Sequence, residues 1–241
     1  MDINSTYIGH ATILLDFGGE TVLTDPWFTS GPILFRRRRK PGLQPPHLPR
    51  IDLILLSHEH FDHLDPKSLD SLEKDCTVIV HSGLGKKIKR FGFKTVEELN
   101  PWEFFPYRSL KITAVPARHT RYSIGYVISG EKNIYFAGDT TLIPEDFKRI
   151  REKFTIDLAI LPIGGVKIFG IIKKVMDPRD AVEAIRLISP DKVLPIHWGT
   201  FKESGLVMSM PGMPEELRSL ADREDITSEI LYLEEGQSAK I

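Results

Sequence analysis

Between Ser57 and Asp65 the sequence reads Ser-His-Glu-His-Phe-Asp-His-Leu-Asp, placing three imidazoles and a carboxylate within the six positions from His58 to His63. Neutral imidazole nitrogen and anionic carboxylate oxygen are the donors that a borderline divalent cation takes. Where the chain is extended, residues two apart share a face, so His58 and His60 can converge on one ion. A turn toward the helix expected at Pro66 would swing Asp62 and His63 toward a second. A lone His-x-His matches by chance far more often than it binds metal. Here three further residues of the same chemistry stand at strand exits: His119 after the run ending at Val115, Asp139 within Ala137-Gly138-Asp139-Thr140, and His197 after Ile196. Five of the eight histidines thus lie where one end of a layered β fold could gather them.

The elements that must position these residues follow from apolar periodicity and turn chemistry. Residues 11–17 and 20–24 read as strands joined by a Gly18-Gly19 hairpin turn. Residues 29–50, rich in Gly, Pro and Arg, form a long loop. Ile51-Asp52-Leu53-Ile54-Leu55-Leu56 has the near-continuous apolar character of a strand buried on both faces. Asp65 is a helix N-cap with Pro66 in the first turn, and Asp177-Pro178 repeats that start for a helix through Ile188. Strands are expected over 77–80, 110–115, 123–129, 133–137, 157–162 and 192–196, and helices over 83–90, 144–154 and 215–221. Sheet and helix segments occur in both halves, which predicts one α/β domain over residues 1–241, a four-layer αββα sandwich rather than a doubly wound parallel sheet.

Composition narrows the class. Hydrophobic residues make up 41% of 241 residues, enough for a large core. A formal net charge of −1 gives no global attraction for nucleic acid or an anionic membrane, so any such affinity must be local. Cys76 is the sole cysteine, which rules out an intramolecular disulfide and fits a reducing, cytoplasmic setting. The stretch Met1 to Ser5 lacks the basic flank and apolar run of a secretory signal, and the longest apolar runs fall far short of a membrane span.

The pattern His58-x-His60-x-Asp62-His63 with later His119, Asp139 and His197 resembles the metallo-β-lactamase superfamily at all seven positions. The resemblance implies one metal held by His58, His60 and His119, a second by Asp62, His63 and His197, and Asp139 bridging them. Zinc is the leading choice, with manganese, iron and cobalt as alternatives. The redox branch of the superfamily has Glu in place of the second His, so His60 favours the hydrolases. Gly9-His10-Ala11-Thr12, Thr24-Asp25-Pro26, Gly138-Asp139-Thr140, Pro162-Ile163-Gly164 and His197-Trp198-Gly199-Thr200-Phe201 are similar to the branch of N-acyl-phosphatidylethanolamine-hydrolysing phospholipase D and ascorbate-6-phosphate lactonase. That branch's phospholipases differ in carrying His where this chain has Val175, Gly where it has Thr141, and a long N-terminal extension.

The resemblance implies a binuclear hydrolase that attacks a phosphodiester or a phosphorylated lactone or ester with a bridging hydroxide, Asp62 or Asp139 accepting or relaying a proton. Asp25 resembles a position that orients ligand imidazoles, although Asp before Pro is also a common turn former. His10 either lines the site or is a buried structural histidine, and His81 reads as structural. In Phe35-Arg36-Arg37-Arg38-Arg39-Lys40, a solvated face competes with a grip on substrate phosphate by Arg36 and Arg37. Beside it, Ile33, Leu34 and Phe35 could touch a lipid surface. The expected partners are a small anionic substrate or a phospholipid, with at most peripheral membrane contact; a homo-oligomer is compatible with the sequence. A nuclease and a non-catalytic metal-stabilised binding protein are the competing readings, and the absence of net positive charge weighs against nucleic acid.

Overall fold

Strand formation here follows the apolar runs, and each run alternates between two destinations. A computed structural model describes residues 3–168, 172–201 and 208–241, leaving Met1 and Asp2 of the N-terminal stretch outside. The strands are β1 (Asn4–Gly9), β2 (Thr12–Asp16), β3 (Thr21–Thr24), β4 (Leu53–Leu55), β5 (Thr77–His81), β6 (Thr95–Leu99), β7 (Phe104–Tyr107), β8 (Leu110–Pro116) and β9 (Ile124–Ser129). They continue with β10 (Asn133–Phe136), β11 (Leu158–Pro162), β12 (Lys167–Ile168), β13 (Ile172–Lys173), β14 (Lys192–Ile196), β15 (Met208–Ser209), β16 (Glu229–Ile230) and β17 (Ser238–Lys240). The helices are α1 (Pro66–Asp70), α2 (Gly85–Lys89), α3 (Pro144–Lys153), α4 (Pro178–Ile188) and α5 (Pro214–Arg223).

Among the described residues two seven-stranded sheets form, in the orders β17-β1-β2-β3-β4-β5-β6 and β16-β14-β11-β10-β9-β8-β7, with a small sheet β13-β12-β15. Both large sheets are mixed: β1 to β3 and β7 to β10 pair antiparallel, whereas β3 to β6 and β10, β11, β14 and β16 pair parallel. Period-two alternation sorts the side chains between layers. Leu53 and Leu55 enter the core between the sheets, while Ile54 and Leu56 face the other way and pack with Leu69 of α1 and Ile88 of α2. Helices α3, α4 and α5 contribute Ile150, Ile185 and Leu217 against the second sheet. The layers are therefore the αββα sandwich that the sequence predicts.

Strand direction fixes where the site must be. The strands β1, β3 and β4 run the same way in one sheet, as β8, β10 and β14 do in the other. Their carboxyl ends lead to His10, Asp25, His58, His119, Asp139 and His197. Two cross-sheet ties lie just beneath: the Tyr126 hydroxyl sits 2.8 Å from the Leu56 carbonyl, and the Ile124 amide donates to the Ser57 carbonyl at 3.0 Å.

The weaker sequence signals belong to the margins. The expected Asp65 cap is observed, its carboxylate accepting from the Ser68 amide, and Asp177 forms a reciprocal capping box with Asp180. Strands β1, β6, β7, β12, β13, β15, β16 and β17 are additions beyond the expected set. The loop 29–50 holds two short 3-10 turns and an isolated antiparallel bridge from Arg37 to Phe201 among irregular chain. No described helix is long and apolar enough to cross a membrane.

Gly138 has φ +58° and no room for a side chain, since a Cβ there would lie 2.5 Å from the Ser57 Cβ. We expect Gly138→Ala to destabilise the protein by about 1–3 kcal/mol, from the left-handed backbone and the clash together. Urea denaturation checks this; a midpoint equal to wild type would contradict the close approach.

Candidate metal centre

After β4 the chain leaves the sheet, and a turn closes with the His63 and Leu64 amides donating to the His60 carbonyl at 3.0 and 2.7 Å. That turn sets Asp62 and His63 apart from His60, though His63 stays beside His58 with ring centroids 4.1 Å apart, and donor groups that adjoin one another result. Ligand atoms of His58, His60 and His119 lie within 4.8 Å of one another, and so do those of Asp62, His63, His197 and His10. Asp139 lies between them: its Oδ2 is 3.7 Å from His119 Nε2, 3.5 Å from His63 Nε2 and 3.1 Å from His197 Nε2. All seven sequence-derived candidates therefore meet at one place.

Hydrogen bonds on the far side of the rings fix which nitrogen is free. Asp25 accepts from the Ser57 amide at 2.7 Å and from the Ser57 hydroxyl at 2.5 Å. Its Oδ2 also lies 2.6 Å from His63 Nδ1. A carboxylate only accepts, so His63 carries a proton on Nδ1, and in the neutral ring it is Nε2 that offers a lone pair to the site. The Ser57 hydroxyl, having donated to Asp25, can accept from His58 Nδ1 at 3.0 Å, which frees His58 Nε2 in the same way. His119 Nδ1 donates to the Lys174 carbonyl at 2.9 Å, freeing its Nε2, which faces His60 Nδ1 at 3.0 Å. Asp25 thus orients one imidazole in each group.

These free atoms are the test of whether the site suits a metal. His58 Nε2, His63 Nε2, His197 Nε2 and Asp139 Oδ1 are buried without a hydrogen-bond partner. Buried polar atoms are ordinarily paired, and leaving one unpaired costs about 1–3 kcal/mol. A set of nitrogen and oxygen donors orphaned together and facing one another fits a cation.

The charges agree. Burial, and then the neighbouring His63, lowers the pKa of His58 well below the usual imidazole value; burial and His119 lower that of His60. Both rings are therefore held in the neutral form that coordinates metal. Burial alone would raise the pKa of Asp62 and Asp139, but the facing imidazoles outweigh it and keep both carboxylates ionised. Burial opposes protonation of His63, yet Asp139, Asp25 and Asp62 together raise its pKa well above the ordinary value. That is the electrostatic signature of a carboxylate cluster attracting positive charge.

The groups open into a cavity of about 420 Å³. One wall carries the polar residues His60, Asp62, His119, Asp139 and His197; Phe35, Phe61, Val166, Val175 and Phe201 supply an apolar one, and Lys174 also lines it. The rings of Phe35 and Phe61 stack at 6.0 Å.

The basic run divides by alternation. Arg37 turns inward, its guanidinium 4.5 Å from the centre of the Trp27 ring and bonded to the Trp27 carbonyl, and burial pulls its pKa down to about 10. Arg39 lies over Trp198 at 4.8 Å and pairs with Glu235 at 3.3 Å, whereas Arg36, Arg38 and Lys40 are exposed. The structure places Arg36 and Arg37 away from the cavity lining, because the Trp27 face holds Arg37 and Arg36 points to solvent. His81 bonds to the Ser82 carbonyl and packs on Tyr122, as a structural histidine does. Sequence reasoning passed over Ser57, Thr200 and Lys174. Ser57 and Thr200 adjoin the histidine motifs, but the part of Lys174 that holds His119 is a backbone carbonyl, which no side-chain pattern announces.

A His/Asp cluster at the common edge of two facing sheets is the arrangement of a metal-dependent hydrolase. The beta-lactamase superfamily domain matches residues 20–198, and the chain belongs to that superfamily. It is 34% identical to N-acyl-phosphatidylethanolamine-hydrolyzing phospholipase D 1 of Caenorhabditis elegans, over 92% of this chain and 71% of that protein. It is 30% identical to a metal-dependent hydrolase of Methanopyrus kandleri, over 97% of each. In fold it is similar to a metallo hydrolase of Ignicoccus hospitalis, with a TM-score of 0.79 and 22% identity over 100% of this chain and 99% of that one.

Replacing Asp25 with Asn keeps the size but makes one acceptor atom a donor, which conflicts with Ser57 and His63. We expect Asp25→Asn to lower metal affinity by about 10–100-fold, measured by competition with a chromophoric chelator. An unchanged affinity would leave Asp25 as a turn residue.

Proposed function

We propose that this metal-dependent hydrolase works with two divalent ions, zinc first among them, on a phosphodiester or a phosphorylated lactone or ester. His58, His60 and His119 would hold one ion, Asp62, His63 and His197 the other, and Asp139 would stand between. The observation that carries the reading is Asp139 Oδ2 lying within 3.7 Å of imidazole nitrogens from both groups. When bound, such ions supply a water acidic enough to act as nucleophile near neutral pH and a positive field for the charge that develops on the substrate.

The protein's own residues supply the rest. Asp62 and Asp139, held ionised, are the groups able to accept or relay a proton. The apolar wall of Phe35, Phe61, Val166, Val175 and Phe201 excludes water and would receive a hydrophobic part of the substrate, with Lys174 as a cation for its anionic part. The Caenorhabditis elegans relative, an N-acyl-phosphatidylethanolamine-hydrolyzing phospholipase D, supports a substrate of that amphiphilic kind.

The cavity lip supports peripheral contact with a phospholipid surface. Ile33 is 95% exposed two residues from Phe35, and the exposed Arg36, Arg38 and Lys40 follow. Three cations contribute on the order of 1 kcal/mol each near an anionic surface, a weak and salt-sensitive attraction. A cytoplasmic setting is in keeping with a single, buried cysteine, Cys76.

The zinc-loaded protein is expected to hydrolyse bis(p-nitrophenyl) phosphate, and chelation or His58→Ala to slow it by at least about 100-fold. Equal rates in the loaded, chelated and substituted proteins would remove the proposed centre from the reaction. Under the same assay Phe61→Ala should raise KM for aryl or acyl substrates more than for small ones, with metal content unchanged.

A further inference from the structure

His10 stands in a left-handed conformation, φ 61°, at the turn that follows β1, and is 1% exposed. Every polar atom it has is engaged. Its amide donates to the Tyr7 hydroxyl at 3.0 Å, and its carbonyl accepts the His197 amide at 3.1 Å. In the ring, Nε2 lies 3.1 Å from Asp62 Oδ2 and Nδ1 lies 3.0 Å from the Thr200 hydroxyl. The ring also packs against His197, 4.0 Å between centroids, and His63, 5.3 Å. The same Asp62 oxygen is 3.9 Å from His63 Nε2 and 3.8 Å from His197 Nε2. Among the described residues no hydrogen bond or ring contact joins His10 to His58, His60 or His119.

We infer that His10 is a positioning residue for one half of the metal centre: it fixes the Asp62 carboxylate and the His197 backbone, and so sets affinity for the ion of the Asp62, His63 and His197 group alone. This rests on the two-ion reading above. His10 lies close enough to that group to be a fourth ligand, and tautomer chemistry decides against it. The Asp62 carboxylate accepts and cannot donate, so the proton sits on Nε2 and the lone pair needed for coordination is absent there. Nδ1 is held by the Thr200 hydroxyl, whose single proton is shared between this ring and the Trp198 carbonyl 3.1 Å away, so both ring nitrogens are committed. Without the ring, Asp62 loses a buried charge-assisted hydrogen bond, and the His197 amide loses the side chain that fixes its acceptor.

The test is a metal titration of the metal-free protein with zinc, followed by calorimetry and by inductively coupled plasma analysis after dialysis. Wild type is expected to take up two equivalents. His10→Ala is expected to bind the first as wild type does and the second about 10–100-fold more weakly. His10→Gln, whose amide can donate to Asp62 but ligates metal poorly, should recover most of that loss, which a ligand role would not allow. Thr200→Val, which leaves the ring in place, should weaken the second equivalent about fivefold, the effect of one neutral hydrogen bond, and stands in if His10→Ala does not fold. Equal weakening of both equivalents, no weakening of either, or no recovery with Gln would overturn the inference while leaving two ions in place. Wild type binding a single equivalent would remove the two-ion reading and this inference with it.

Discussion

Buried nitrogen and oxygen atoms left without hydrogen-bond partners are the constraint around which this molecule is arranged. His58 Nε2, His63 Nε2, His197 Nε2 and Asp139 Oδ1 face one another at the end of two sheets without hydrogen-bond partners. In a low-dielectric interior such a cluster repels itself and forfeits hydration, so the apolar core beneath must offset a local penalty. A multivalent cation reverses the sign of that interaction. The depressed pKa values of His58, Asp62 and Asp139 express the same arrangement, with the His58 imidazole neutral and both carboxylates charged.

Two architectural features keep the donors from collapsing onto one another. The strands that deliver them share direction within each sheet, so the loops leave from one edge. Outer partners then turn three of the imidazoles: Asp25 and Ser57 for His63 and His58, and the Lys174 carbonyl for His119. Asp25 serves both donor groups, which makes it the shared anchor of the centre. The cavity above is amphiphilic because the cluster of Trp27, Val166, Val175, Phe201 and Met210, with Phe35 and Phe61 packed on it, stands apart from the two main cores and borders the ligands.

Much of this was legible in the amino-acid sequence, for physical reasons that differ by element. The central strands announced themselves because burial on both faces demands apolar runs, as in Leu53-Ile54-Leu55 and Leu158-Ala159-Ile160-Leu161. Edge strands carried no such demand. Thr95–Leu99 includes Glu97 and Glu98, and Phe104–Tyr107 contains Pro106; both are tolerated because each strand has its outer edge or face toward solvent. Asn4–Gly9 is polar at its start and is recognised by its partners β2 and β17 rather than by its own composition. The donor residues were legible because their chemistry is rare and their spacing fixed. The roles of Arg36 and Arg37 were not, because charge says nothing about direction, and Arg37 is turned inward by the face of Trp27. Backbone acceptors such as the Lys174 carbonyl leave no trace in residue types at all.

His10, Asp25 and His197 all occupy positive-φ backbone, at 61°, 34° and 57°. Such conformations cost side-chain-bearing residues roughly 1–3 kcal/mol each and persist only where surrounding contacts over-determine them. Tension is therefore stored in the scaffold during folding instead of being generated when an ion arrives. An ion entering such a pocket meets donors that are already in place, so capture should be governed by shedding of its own hydration water, with little chain rearrangement to slow it.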